Sequence, residues 1–366
     1  MQALIRTHAG LLVAGVLTFV IMGAGQALFG PSLPVYGRLF DLGEGGAGAL
    51  VSVLWVGCFL GVGFMFFWGA HISPRHVLAV MALGSAIMAA GPGWWAVMLG
   101  AAIFGMGYGM ATAVFNPRVM RAFGRHGPSM LSLLNATFGI GAIAAPLIFV
   151  WLGSSTSWAF GLVAAVTAVI WVFAGSAGRV EAGPSGPIKA FRPQWGILAF
   201  GLVAIGLEAS LAGLGPTALI RAGVAETQAS ELLSAFFVVF LLARVALVFV
   251  AHRVEPFLLY LGSIGTAALC ALGAVFLSPA VFFVAMGASA GVFFPGYYVT
   301  ASGKMGEDIR VPPTIVAAGL VGAIGMPAIL APLVAGMGER GFFQVIAGIL
   351  VALSLAAILA RRKMRV

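Results

Sequence analysis

Charge is the property this sequence has least of. Only 8% of its 366 residues are Asp, Glu, Lys or Arg, 61% are hydrophobic, and the mean hydropathy is +1.11. A soluble domain carries about 25% charge, so water is excluded as the main solvent of this chain. Cysteine is nearly absent too. Cys58 and Cys270 both fall in apolar runs, which leaves no disulfide framework and no Cys-rich metal site and makes both packing residues.

Other absences narrow the function. The alternating segments of about ten residues that build a membrane barrel do not occur. Gly-x-x-x-x-Gly-Lys-Ser/Thr is missing, which removes ATP-driven transport. His8, His71, His76, His126 and His252 all fall at or beyond the ends of apolar runs, so an intramembrane enzyme would have no base or metal cluster to use. The net charge of +9 is not gathered into a patch with interleaved aromatics, which argues against a nucleic-acid partner.

What is present is a succession of apolar runs of about 20 residues, the length that crosses a hydrocarbon core of about 30 Å. The stretch from Ala9 to Pro31 after Arg6 is too long for the core of a signal peptide and reads as the first span. Spans are expected near 9–34, 46–69, 76–91, 94–116, 128–151, 157–177, 194–219, 228–250, 256–277, 280–303, 311–336 and 341–360. One set of faces then holds Arg6, Arg75, Arg118, Arg121, Arg125, Arg179, Lys189, Arg192, Arg253, Lys304, Arg310, Arg361, Arg362, Lys363 and Arg365, and the opposite set only Arg38, Arg221 and Arg340. By the positive-inside rule both termini and the 179–192 segment are cytoplasmic, and the even span count is supported. A plasma (inner) membrane is the expected location.

The Gly/Pro-rich stretch near the midpoint divides the chain into 1–178, a linker at 179–193, and 194–366. The halves repeat. Gly141-Ala-Ile-Ala-Ala-Pro146 recurs as Gly322-Ala-Ile-Gly-Met-Pro327, Gly105 and Gly109 as Gly287 and Gly291, and Gly30-Pro31 as Gly215-Pro216, at offsets of 181, 182 and 185 residues. Because six spans is even, the repeats are parallel, and a pathway is expected between two bundles that rock against each other. The expected fold is an all-α polytopic membrane protein of twelve transmembrane helices in two pseudo-symmetric six-helix bundles. Gly105-Met-Gly-Tyr-Gly109 lies within a span, so it serves close helix approach and not dinucleotide binding.

This layout resembles the major facilitator superfamily over essentially the whole chain. Gly30-Pro-Ser-Leu-Pro34, Asn116-Pro117, Leu134-Asn-Ala-Thr-Phe-Gly-Ile-Gly-Ala-Ile-Ala-Ala-Pro146 and Gly206-Leu-Glu-Ala-Ser210 resemble its fucose-permease-like, sugar permease branch. Two departures stand out. Trp68-Gly-Ala-His-Ile-Ser-Pro-Arg-His76 lacks the carboxylate usual in the superfamily's second loop. Carboxylates that the branch's sugar permease carries near Gly30 and Thr112 are also missing, so substrate and proton coupling are not carried over.

Glu208 and Arg244 are the ionisable residues placed within the membrane, where each costs at least about 2.5–3.5 kcal/mol on insertion scales. From helix rise alone their depths differ by roughly 10–15 Å, so they are not expected to pair. Arg244 either snorkels from a face shared with Phe237, Phe240, Leu241 and Val248, or serves as an anion contact or gate. Tyr108, Thr112 and Asn116 form a polar stripe at i, i+4 and i+8. The resemblance implies that the first, fourth, seventh and tenth helices line a cavity, so that this stripe, Gln26, Glu208 and Tyr297 or Tyr298 face substrate. The alternative is hydrogen bonding between helices. Asn135, on a face with Ser132, Gly139 and Ala142, either packs or reaches the pathway. Trp55 either stacks on a sugar or packs in the core.

The resulting expectation is a secondary active transporter of a small polar organic solute, sugar-like, working by alternating access. Glu208 either couples transport to protons or is structural, since a carboxyl group whose surroundings alternate between wet and closed can exchange a proton. Efflux of amphiphilic drugs and a non-transporting receptor remain as alternatives. Solute, protons and membrane lipid are the expected partners of a monomer without cofactors. Tags at either terminus, or within Gly183–Ala190, are expected to react only from the cytoplasmic side; labelling of the central segment from outside intact cells would overturn this topology.

Overall fold

The structure is a computed structural model and describes residues 6–43, 45–68, 72–123, 127–174, 192–250, 253–306, 308 and 310–364. The expected linker lies, apart from 192 and 193, outside them. Among the described residues twelve long helices follow one another: α1 Ala9–Leu39, α2 Ala49–Trp68, α3 Pro74–Ala90, α4 Trp94–Phe123, α5 Gly127–Trp151, α6 Thr156–Phe173, α7 Trp195–Arg221, α8 Glu226–Val250, α9 Pro256–Phe276, α10 Pro279–Met305, α11 Val311–Ala335 and α12 Gly341–Met364. Ten are long and apolar enough to cross a membrane; α3 and the apolar part of α5, Ala136–Trp151, are shorter. The expected spans are recovered, but α1, α4 and α12 run past the ends expected at 34, 116 and 360. Arg38, Arg118, Arg121 and the basic cluster Arg361–Lys363 therefore continue helices beyond their apolar portions.

The starts of the helices are written in the sequence. Proline opens α3, α9 and α10, where its missing N–H costs nothing. Ser155 and Ser278 accept from the backbone N–H of Trp158 and Val281 at the starts of α6 and α10. At α3, Ser73 donates its backbone N–H to His76 Nδ1 at 3.1 Å, so a histidine fills the place a capping box usually gives to Glu or Gln. Ahead of α11, Asp308 accepts three hydrogen bonds from Arg310 and holds that guanidinium above its ordinary pKa.

The chain forms two compact units, Met1–Asp41 with Val53–Gly183 and Leu42–Ser52 with Pro184–Val366. The segment Leu42–Ser52, which the sequence division gave to the first half, thus belongs to the second. There the 3₁₀ turn Gly46–Gly48 packs on α11, and Gly45, at φ +81°, abuts the Ala331 carbonyl. Within the first unit α1 packs on α5, and α3 on α4 and α6. Within the second the same pattern recurs six helices later: α7 on α11, and α9 on α10 and α12.

The repeated glycines are the points where these backbones touch. A Cβ on Gly105 or Gly109 would overlap the carbonyl oxygens of Leu54 or Cys58 in α2. One on Gly287 or Gly291 would press on those of Phe236 or Phe240 in α8. Both pairs of partners are 182 residues apart, the offset of the glycines themselves. Gly141 likewise meets Val20 of α1, and Gly322 meets Leu202 of α7.

Several buried hydroxyls are satisfied locally, as a hydrocarbon solvent requires. Thr18, Ser32, Ser85, Thr167, Ser210 and Thr300 each donate to the carbonyl four residues back. Tyr36 bonds the Met88 carbonyl and Tyr260 that of Phe200. Two of the three arginines on the sparsely charged face close helix ends: Arg221 donates to the carbonyls of Val334, Ala335 and Met337 at 2.8–2.9 Å, and Arg340 to that of Val275. Exposed tryptophans mark helix ends, with Trp68, Trp95, Trp151, Trp158 and Trp195 all within three residues of a terminus, as in interfacial aromatic belts.

Gly322→Ala is expected to destabilise the protein by at least about 1–3 kcal/mol, the usual cost of overpacking, because its Cβ would enter the Leu202 carbonyl. Gly325→Ala on the same helix, with nothing within 4 Å of its Cβ, should be near neutral. Thermal unfolding in detergent compares them; equal melting temperatures would refute the backbone contact.

Candidate functional site

In the first unit the close glycine contacts deliver four polar and aromatic residues to one another. Gly25 of α1 lies under the ring of Phe104, and Gln26 beside it accepts a hydrogen bond from Tyr108, one turn after Phe104, at 3.0 Å. Gly105 and Gly109 draw α2 onto α4. That brings Trp55, which follows Leu54, edge-on to Tyr108, with ring centroids 5.8 Å apart at 76°. Phe138 of α5 adds a second T-shaped contact to Tyr108, at 6.4 Å. Gln26, Trp55 and Tyr108 are all half-buried.

The rest of the stripe differs residue by residue. Thr112 returns its hydroxyl to the Gly109 carbonyl of its own helix at 2.8 Å. Asn116 keeps a buried Oδ1 with no hydrogen-bond partner among the described residues. Asn135 lies in α5, but its side chain, like that of Ser132, is outside what the structure describes. Cys58 is buried where α2 meets Gly109, in keeping with a packing role.

In the second unit Glu208 and Arg244 do come together, contrary to the expectation from depth. Arg244 Nη2 lies 3.9 Å from Glu208 Oε1, with their side chains 29% and 23% exposed. Helix rise alone had kept them apart; the long arginine stem spans the remaining distance, as it does when arginines snorkel. The guanidinium is fixed from two further directions. Its Nε donates to the Gly291 carbonyl at 3.2 Å, and its Cζ sits 4.3 Å from the centroid of Phe240. Gly291 can offer its carbonyl because it lies against the Phe240 backbone, one helical turn before Arg244. Glu208 Oε2 is buried and has no partner among the described residues.

Tyr297 and Tyr298, offered by the sequence as alternatives, separate in the structure. Tyr297 is 0% exposed, donates to the Ile315 carbonyl at 2.9 Å, and rests its ring on Gly201, so its surface is covered. Tyr298 is half-buried beside Phe294. Phe138, the Gly291 carbonyl and the hydroxyl pair Thr266–Ser289, 2.9 Å apart between α9 and α10, were not anticipated. Only the repeated glycine at 291 carried a signal. No group of three His, Cys, Asp or Glu side chains that could hold a metal occurs among the described residues.

Long apolar helices around polar groups that penetrate to mid-helix define a multi-pass membrane transporter. The family model of the Major Facilitator Superfamily matches residues 15–311, and the chain belongs to that superfamily. No curated protein matches it in sequence. Among solved structures, the nucleoside transporter NupG superposes with a TM-score of 0.73 at 17% identity, covering 96% of this chain and 98% of that one. A D-xylose-proton symporter gives 0.74 at 13%, covering 95% and 96%. A variant of the E. coli fucose:proton symporter FucP gives 0.64 at 14%, covering 95% and 98%. At these identities the likeness is one of fold.

The ion pair predicts its own energetics. Arg244→Gln should destabilise the protein more than the double variant Glu208→Gln/Arg244→Gln, because the single change leaves a half-buried carboxylate without its cation. A coupling of at least about 0.5 kcal/mol is expected from a double-mutant cycle read by unfolding in detergent. Strict additivity would mean that the pair does not form in solution.

Proposed function

We infer that the chain is a secondary active transporter that moves a small polar organic solute by alternating access, with both termini on the cytoplasmic side of a plasma (inner) membrane. The observation that carries this reading is that Asn116 Oδ1 on α4 and Glu208 Oε2 on α7 are buried acceptors without donors among the described residues, where the hydroxyls of Ser52, Thr217 and Ser354 are also unmatched. A buried acceptor left unmatched costs about 1–3 kcal/mol, so a ligand that brings donors recovers that cost on binding. Hydroxyl groups are such donors. Aromatic faces such as that of Trp55 suit the apolar side of a sugar ring. The names of the neighbours, for a nucleoside, D-xylose and fucose, tilt the choice toward sugar-like solutes.

Proton coupling is assigned to Glu208. It is the carboxylate within α7, its Oε1 meets a fixed guanidinium, and its buried Oε2 has no partner among the described residues. Amphiphile efflux is the second reading, favoured by the aromatic side chains Trp55, Tyr108 and Phe138 around the first-unit cluster.

Purified protein in liposomes should accumulate a labelled sugar or nucleoside when driven by a pH gradient alone. Glu208→Gln keeps the shape and hydrogen-bonding capacity of the side chain but cannot titrate. It should abolish that accumulation and still exchange internal for external solute. Undiminished accumulation by Glu208→Gln would make the residue structural. Expulsion of cationic dyes with no sugar uptake would favour the second reading.

A further inference from the structure

On the outside of the first unit, Gly10, Val13, Ala14 and Leu17 of α1 and Ile170 and Phe173 of α6 line an open, shallow groove. Its depth comes from Gly10 and Ala14, which put almost nothing between the larger side chains. Val13 is 55%, Leu17 41% and Phe173 70% exposed. These walls face whatever surrounds the protein, and for a chain that spans a membrane that is acyl chain.

The end of the groove is charged. Positions 10, 13, 14 and 17 form one face of α1, and Arg6 lies four residues before Gly10, ahead of the helix start at Ala9. On the opposite wall Phe173 is the last residue of α6. The carbonyl of its neighbour Val172 accepts a hydrogen bond from Arg75 Nη2 at 3.0 Å, while the Arg75 guanidinium lies 5.3 Å from the centroid of the Trp171 ring. That contact fixes the direction of Arg75 without covering it, since both arginines are exposed. The Arg75 guanidinium thus stands where α6 ends, beside the apolar slot, and Arg6 belongs to the segment that leads into α1.

An apolar slot with one cation held at its end and a second in the segment leading into α1 fits an amphiphile with an acyl tail and a negatively charged phosphate head. We propose that this groove binds an anionic phospholipid of the leaflet on the side of the chain termini, its tail between α1 and α6 and its phosphate against Arg6 and Arg75. The planar fork of a guanidinium matches phosphate oxygens in pairs. A zwitterionic headgroup brings an ammonium to the same mouth and gains less. The lipid would tether the start of α1, the helix that also carries Gln26, to the end of α6.

Native mass spectrometry of the full chain in neutral detergent, with phosphatidylglycerol or phosphatidylcholine added, tests the site. Phosphatidylglycerol is expected to be retained in preference, with one molecule held most tightly. Arg6→Gln should weaken its retention about fivefold, the factor for one basic residue at an anionic surface, and Arg6→Gln/Arg75→Gln by a further similar factor. Gly10→Leu fills the groove and keeps both arginines, so it should weaken retention as well; melting temperatures without lipid check that each variant is folded. Equal retention of the two lipids by the unaltered chain, or an unchanged preference in the folded double variant, would overturn the proposal. Displacement of phosphatidylglycerol by low concentrations of inorganic phosphate would also overturn it, by assigning the arginines to free phosphate.

Discussion

In hydrocarbon, leucine gains nothing by leaving lipid for another helix, so the strength and register of helix pairing rest on how closely two backbones can approach. In this chain that approach is set by glycine. Gly105 and Gly109 seat α4 on α2, and Gly287 and Gly291 seat α10 on α8, each against carbonyls 182 residues apart. The candidate site is a by-product of these seams. Trp55 meets Tyr108 because Leu54 touches Gly105, and Arg244 reaches the Gly291 carbonyl because Phe240 touches Gly291. A larger residue at any of these glycines would displace a whole helix and the candidate side chains that ride on it.

The same solvent imposes a second discipline, that polar atoms find partners inside the protein. Six buried hydroxyls fold back onto their own helices, and buried tyrosines reach neighbouring carbonyls. Arg221 and Arg340 close the ends of α11 and α9. Against that background the buried acceptors of Asn116 and Glu208, with no donor among the described residues, are informative. An unmatched buried acceptor calls for an explanation, and the proposed solute supplies one.

Much of this was legible in the sequence because hydropathy, glycine spacing and proline at helix starts act locally. Twelve spans, the repeat and the polar stripe follow from such signals. The pairing of Glu208 with Arg244 was not legible, since rise along a helix says nothing of how far a side chain reaches across to the next one. Nor was the fate of Tyr297, whose ring is covered because Gly201, nearly a hundred residues earlier, leaves room for it. The grouping of Leu42–Ser52 with the second unit was hidden as well: it depends on Gly45 and Gly48 meeting Ala331, a tertiary fact with no pattern of its own. Helix ends ran long at Arg118 and Arg121, because hydropathy reports where the membrane stops and not where hydrogen bonding does.

The geometry around Arg244 also bears on how a proton on Glu208 would act in the proposed cycle. One guanidinium joins three helices: α7 through Glu208, α10 through the Gly291 carbonyl, and its own α8 through the Phe240 ring. Protonating Glu208 removes the charge on one of these ties and leaves the other two. The α8–α10 seam does not respond, because its backbone contacts at Gly287 and Gly291 are steric and independent of charge. The contact that loosens is the one between α7 and α8. A guanidinium whose carboxylate partner has been neutralised is less well compensated in a half-buried setting, so an acceptor on the solute near Arg244 would be favoured in the state with Glu208 protonated. A hydroxylated solute can supply an oxygen to Arg244 and a hydrogen to Glu208 Oε2 at once. Proton and solute would then favour each other's binding through groups that already face one another, and no movement elsewhere in the protein is needed to link the two.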